Sequence, residues 1–317
     1  MSRSAETPHR RRGALAVGMA VAIGMLTALQ SRINGALGVE LNSGTLAAVF
    51  SFGSGLALLI LLLSVLPSGR AGAASLWRGV RGREIPWWLL IGGAAGAFTV
   101  AMQGAVVGII GTALFTVGMV AGQTLSGLIL DRVGYSPAGV TAVTMPRVIG
   151  VLLALAAVAV SLSGGAVGSA PLWMLILPVL VGVGVAWQQA TNGRLQRRTG
   201  SALAATFANF IVGTTLLVGL ACVQLPSTQV APLPASPWLY TGGAMGVLYI
   251  FISAALVPRI GVLLLSLGLV LGMLIGSFVL DLVWPPAVPP SVLRSAITVV
   301  VASAGVVIAV LGGARRR

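Results

Sequence analysis

Charge is what this sequence has least of. Only 8% of its 317 residues are charged, and lysine is missing altogether. A water-soluble domain carries about a quarter charged residues, so an aqueous surface over most of this chain is excluded. Carboxylates are scarcer still: Glu6, Glu40, Glu84, Asp131 and Asp281 are the whole set. Scattered in this way, they do not form the paired acids of a hydrolytic site. The single histidine, His9, and the single cysteine, Cys222, exclude a histidine-rich metal centre and a disulfide framework. No metal site and no cofactor is expected. Neither H-E-x-x-H nor G-x-S-x-G occurs, which argues against a membrane-embedded enzyme.

What the chain has instead is apolar length. Hydrophobic residues make up 57% of it, and mean hydropathy is +1.04. In water that composition would be one continuous exposed apolar patch, so the solvent must be lipid. The 43 glycines fit, because small residues let membrane helices approach closely. The formal net charge of +14 comes from arginines in short clusters between apolar runs, not on one binding face. No nucleic-acid partner is therefore expected; the partners implied are the lipid bilayer and a small-molecule substrate, with the chain a monomer or a homodimer.

A bilayer needs about 20 apolar residues per helical span. The sequence predicts ten: 13–33, 43–66, 86–107, 110–130, 146–162, 171–191, 201–223, 237–257, 261–282 and 292–311. Pro86, Pro146, Pro171 and Pro237 open spans, as proline does in a first helical turn. Barrel strands would alternate in polarity, and these runs do not. Arg10, Arg11 and Arg12 before the first run resemble a signal peptide. The run is too long for one, and it has a partner later in the chain, so it reads as a span. Arginine placement sets orientation. With both termini cytoplasmic, the inner segments hold Arg3, Arg10–Arg12, Arg70, Arg78, Arg81, Arg83, Arg132, Arg147, Arg194, Arg197, Arg198, Arg259 and Arg315–Arg317. The outer ones hold Arg32 and Arg294 alone.

The chain also repeats itself. Gln30-x-x-x-Asn34-Gly35-x-Leu37 recurs as Gln188-x-x-x-Asn192-Gly193-x-Leu195, and the offset of 158 continues without a gap through Ser43/Ser201, Ala47/Ala205, Phe52/Phe210 and Gly55/Gly213. A second block aligns at offset 150: Gly92-x-x-x-Gly96 with Gly242-x-x-x-Gly246, Gly118-x-x-x-Gly122 with Gly268-x-x-x-Gly272, and Asp131 with Asp281. Two five-span units follow, 13–163 and 171–312, between cytoplasmic tails 1–12 and 313–317. Five is odd, so the second unit enters the membrane from the opposite side. The expected fold is an all-α membrane protein of ten transmembrane helices in a 5+5 inverted-topology repeat, as in many secondary transporters.

These blocks carry a resemblance. The Gln30/Asn34/Gly35 stretch running into Ser51-Phe52-x-x-Gly55, and Ala121-Gly122-Gln123 followed by Gly127-Leu128-Ile129-Leu130-Asp131-Arg132-Val133-Gly134, resemble the drug/metabolite transporter superfamily and its YdcZ-like branch of bacterial inner-membrane proteins. Many members of that branch are single five-span units; this chain is similar to two of them fused. The resemblance implies transport, as an exporter, of a small organic molecule across a bacterial plasma membrane. It supplies no substrate, and the second half departs from the pattern, with Met273 at the place of Gln123 and Trp284 at that of Gly134.

Polar side chains at lipid depth are costly, so each is a candidate for the substrate pathway. Gln30 and Asn34, four apart, share a helix face, and Gln188 and Asn192 repeat the pair. Against this stands a structural role, because Asn-Gly is a common helix C-terminal cap. Gln103, Gln123, Asn209 and Tyr249 lie deeper, with interhelical hydrogen bonding as their bland alternative. Trp187, beside Gln188, suits stacking on a planar or cationic ligand or simple packing. Asp131 and Asp281 fall at helix C-termini, where the helix dipole disfavours an anion. Something must offset that, with Arg132 and Arg147 the candidates for Asp131 and a gate-locking or helix-end role expected. The Gly-x-x-x-Gly pairs read as packing faces. A non-transporting scaffold or partner subunit is the alternative function, although it would make no use of a complete inverted repeat.

Overall fold

In a computed structural model of the chain, the structure describes residues 8–162, 176–224, 231–284 and 292–314, with side chains described for 13–102, 118–160, 176–224, 231–284 and 292–311. Within these residues the chain is helical with no strand, as the apolar runs require. In order the helices are α1 (Pro8–Glu40), α2 (Gly44–Val65), α3 (Pro67–Arg81), α4 (Gly93–Arg132), α5 (Met145–Leu162), α6 (Ile176–Thr199), α7 (Ala202–Gln224), α8 (Gly242–Val283) and α9 (Val292–Ala314).

Among the described residues, eight of these helices supply the ten expected spans, because α4 and α8 each double back and the 15-residue α3 is too short to cross. A straight helix of 42 residues, the length of α8, would run about 60 Å, twice the apolar thickness of a bilayer. Both ends of α8 nevertheless reach one level of α1: Gly242 packs on Asn34, and Asp281 pairs with Arg32. The reversal lies at Gly261 (φ 81°, ψ 171°), three residues after Pro258. That φ is one only glycine adopts freely. The 40-residue α4 behaves alike. Gly92, just before it, meets Asn192 of α6, while Tyr135, just after it, reaches Thr191 of the same helix.

The repeat is visible in local chemistry. Ser43 and Ser201 cap α2 and α7, their hydroxyls accepting from the Leu46 and Ala204 amides at 3.2 Å each. The residues before them, Asn42 (φ 53°) and Gly200 (φ 69°), both take the left-handed conformation. Short 3-10 turns at Trp87–Leu89 and Pro237–Tyr240 introduce α4 and α8. The packing repeats too, with the units exchanging partners. In α1, Gly24 touches Leu269 and Gly272 of α8; in α6, the equivalent Gly182 touches Met119 and Gln123 of α4. Gly55 receives the ring of Phe210, and Gly213 the ring of Phe52.

The inversion can be read from directions. Along α6, residues 189 and 193 meet Tyr249 and Val257 in turn, so α6 runs with the first half of α8. Along α1, Gln30 and Asn34 meet Gly246 and Gly242, so α1 runs against it. The equivalent helices α1 and α6 are therefore antiparallel, which is the expected inverted arrangement.

Two local expectations are corrected. Asn34-Gly35 and Asn192-Gly193 do not end helices: α1 continues to Glu40 and α6 to Thr199, so the cap reading fails at both. The arginine-bearing stretch after α2, read as a loop, contains α3. Its glycines are contact points: Gly72 lies on Ser201, Gly69 on Leu62 and Leu63, and Gly79 on Ile85.

Candidate functional site

The amide pairs sit between the two units, each against the other unit's glycine-rich helix start. In the second cluster, Gln188 Nε2 donates to Asn209 Oδ1 at 3.2 Å, and Asn209 Nδ2 donates to Asn192 Oδ1 at 3.3 Å. All three are buried, at 5%, 1% and 3% exposure, and they face Gly92 and Gly96. The first cluster is its looser counterpart. Gln30 Nε2 donates to the Gly242 carbonyl at 2.9 Å, and Asn34 Nδ2 to Ser51 Oγ at 3.3 Å. Serine replaces asparagine here, because Ser51 stands where the second unit has Asn209. The shorter side chain leaves Asn34 Oδ1 buried without a hydrogen-bond partner among the described residues, and a buried acceptor left unpaired is costly.

A third polar group was not legible in the repeat. Gln189, 3% exposed, donates to Tyr249 OH at 3.3 Å and accepts from Ser266 Oγ at 3.2 Å. Its partner at offset 158 is Ser31, so the internal alignment gave it no support; its only sequence signal was a second glutamine beside Gln188. Next to it Tyr135 OH lies 3.2 Å from Thr191 Oγ1. Gln123 is buried at the α4–α6 contact, and Trp187 is half-buried on α6. Gln103 lies outside the described side chains. Ser253, one turn beyond Tyr249, keeps its hydroxyl buried without a partner among the described residues.

The two span-end carboxylates do different things. Asp131 is fully buried. Its Oδ1 accepts from the Val262 amide at 2.8 Å and its Oδ2 from the Leu263 amide at 3.3 Å, so it caps the helix that restarts after Gly261. The anion is offset chiefly by the positive end of that neighbouring helix. Arg147 contributes from 3.7 Å, whereas Arg132, the other expected partner, is exposed. Asp281 forms an ion pair with Arg32, which ties the end of α8 to α1. At the opposite end Arg194 clamps α6 to the segment after α4. It donates to the Tyr135 and Gly134 carbonyls and lies 4.2 Å from the centre of the Tyr135 ring. Each end thus carries an arginine tie between units, made by non-equivalent residues. Among the described residues no group of three histidine, cysteine or acidic side chains could hold a metal.

Comparisons with known proteins agree with this architecture. A solved protein structure matches with a TM-score of 0.63 at 20% identity, covering 96% of this chain and 98% of its own; at that identity the likeness speaks for the fold alone. No curated protein matches. The family described as "Putative inner membrane exporter, YdcZ" matches twice, over residues 15–160 and again over 173–308, once for each repeat. The chain belongs to this YdcZ family of the drug/metabolite transporters, as two fused units.

Proposed function

We propose that the protein is a secondary transporter that exports a small organic molecule by alternating access of its two inverted halves. The observation that carries this reading is the placement of both amide clusters at contacts between the units, the surfaces that must slide when such halves exchange shapes. The clusters are chemically unequal, so the two states would differ in affinity for one solute, and a ligand can shift a two-state equilibrium only through such a difference. The Arg32–Asp281 and Arg194–Tyr135 ties would close opposite mouths. We take both termini to be cytoplasmic, from the arginine asymmetry, and the tails 1–12 and 313–317 to lie there.

The polar interior offers amides and hydroxyls but no free carboxylate, because Asp131 is engaged as a helix cap. Nothing there balances a buried cation, and an unpaired buried charge is expensive. The substrate class is therefore polar neutral or zwitterionic, and flux should depend weakly on a pH gradient. Gln188→Leu and Gln30→Leu test the pathway. An interhelical hydrogen bond in a membrane contributes roughly 0.6 kcal/mol, and the acceptor it leaves unpaired raises the cost to about 1 kcal/mol or somewhat more, still a small part of the roughly 5–15 kcal/mol that holds a protein folded. In proteoliposomes each variant should lose transport about tenfold or more while its melting temperature in detergent stays within a few degrees of wild type. Lower stability with undiminished transport per folded molecule would reduce the amides to structural glue.

A further inference from the structure

We infer that the cavity beneath α3 binds the phosphate of an anionic phospholipid from the leaflet that faces it. The cavity has a volume of about 380 Å3 and is lined by Ser75, Arg78, Gly79, Glu84, Ile85 and Arg198. That size is within the range of small-molecule sites. The helix above it joins the ends of two spans, so it lies at the level of the lipid headgroups. Its buried stripe is Gly69, Gly72 and Gly79, and their missing side chains let it press onto the end of α2, the start of α7 and Ile85 in turn. On its outer side Trp77 is 65% and Val80 39% exposed, the apolar and aromatic face of an interfacial helix. Trp87 and Trp88, also exposed, stack edge to face nearby at 6.1 Å, and tryptophan concentrates at this depth of a bilayer.

Charge identifies the occupant. Arg70, Arg78, Arg81, Arg83 and Arg198 are exposed around the cavity and its helix, against Glu84 alone. Arg198 spends one donor on the Glu84 carbonyl, which fixes the guanidinium beside the cavity and leaves other N–H groups for a ligand. Two guanidinium groups flanking a small cavity suit a phosphate, which they engage through paired hydrogen bonds. A zwitterionic lipid would add a choline or amine to a site already rich in positive charge, so an anionic headgroup is the better match. This assignment stands apart from the transport reading, since it requires only that the chain spans a membrane.

Native mass spectrometry of the full chain in detergent provides the test, with phosphatidylglycerol and phosphatidylcholine added in turn. Two surface arginines should favour the anionic lipid by about tenfold or more. Arg78→Gln/Arg198→Gln should bring the two lipids close to parity. Arg78→Lys/Arg198→Lys should keep most of the preference, and Arg259→Gln, exposed but elsewhere, should keep all of it. Soluble glycerol phosphate at matched concentration should not displace the bound lipid. Equal retention of both lipids by the wild type would overturn the assignment without recourse to any variant. So would an unchanged preference in the glutamine pair, or displacement by glycerol phosphate, which would mark a site for soluble phosphate esters.

Discussion

Asp131→Ala should be the most damaging substitution at any polar residue of this protein. It leaves the Val262 and Leu263 amides without acceptors where the second half of α8 begins, and it removes the carboxylate facing Arg147. Breaking a buried charged contact by deleting one partner typically costs about 3–5 kcal/mol, a large share of the roughly 5–15 kcal/mol that holds a protein folded. The melting temperature in detergent should fall by roughly 10 °C, and much of the protein should elute as aggregate. Asp131→Asn, which still offers one acceptor, should recover part of the loss. Asp281→Ala removes a half-exposed ion pair instead, and such pairs contribute about 1 kcal/mol or less. The two aspartates are equivalent in the repeat, yet their substitutions should differ several-fold in cost. Equal, small effects would mean that Asp131 is not the cap described here.

The second large effect concerns glycines that let the units touch. A β-carbon on Gly122 would collide with the Val179 carbonyl, and one on Gly272 with the Val21 carbonyl. These obstacles are backbone and cannot rotate away, so α6 and α4, or α1 and α8, would have to separate. Gly122→Ala and Gly272→Ala should each destabilise by about 1–3 kcal/mol, the usual cost of overpacking. Because the two seams are equivalent, the two costs should be alike. Gly18, Gly53 and Gly219 lie in helices with open space where a β-carbon would go. Alanine at any of them should be neutral or stabilising by up to about 1 kcal/mol, since glycine is the poorer helix former. Thermal denaturation of the five variants separates the groups, and a uniform response would refute the assignment of the seams.

The same pairs show how much could be read beforehand. Spans were legible because lipid demands long apolar runs, and the repeat because pairs such as Gly55/Gly213 and Gly122/Gly272 answer the same packing problem twice; the Gly24/Gly182 pair emerged only from the structure. Local signals failed where tertiary packing overrode them. Asn34-Gly35 and Asn192-Gly193 look like helix ends, but α1 and α6 carry on through them and bury Asn192 and Gly193 against α7, α8 and Pro137. The glycines of α3 look like breakers, yet they are where a helix rests on its neighbours. At the site, Gln30, Asn34, Gln188, Asn192 and Asn209 were recognisable as polar groups at lipid depth. Their mutual bonding was not, since partners up to 212 residues apart, as Gln30 and Gly242 are, are set by the fold. Asp131 was expected to lean on arginine; its main partners are backbone amides, which carry no sequence signature.

Alternating access is tested most directly by fastening one mouth shut. In a Cys222→Ser background, which removes the exposed native thiol, Arg32→Cys/Asp281→Cys places a thiol at each end of the ion pair between α1 and α8. Proteoliposomes would be assayed for counterflow against a panel of neutral, zwitterionic and cationic metabolites, before and after treatment with a short bifunctional thiol reagent. The account predicts saturable flux of at least one neutral or zwitterionic solute above protein-free vesicles, abolished by cross-linking and restored when a cleavable linker is reduced. Flux that continues unchanged with the mouth cross-linked, or no solute exceeding the protein-free control, would contradict it.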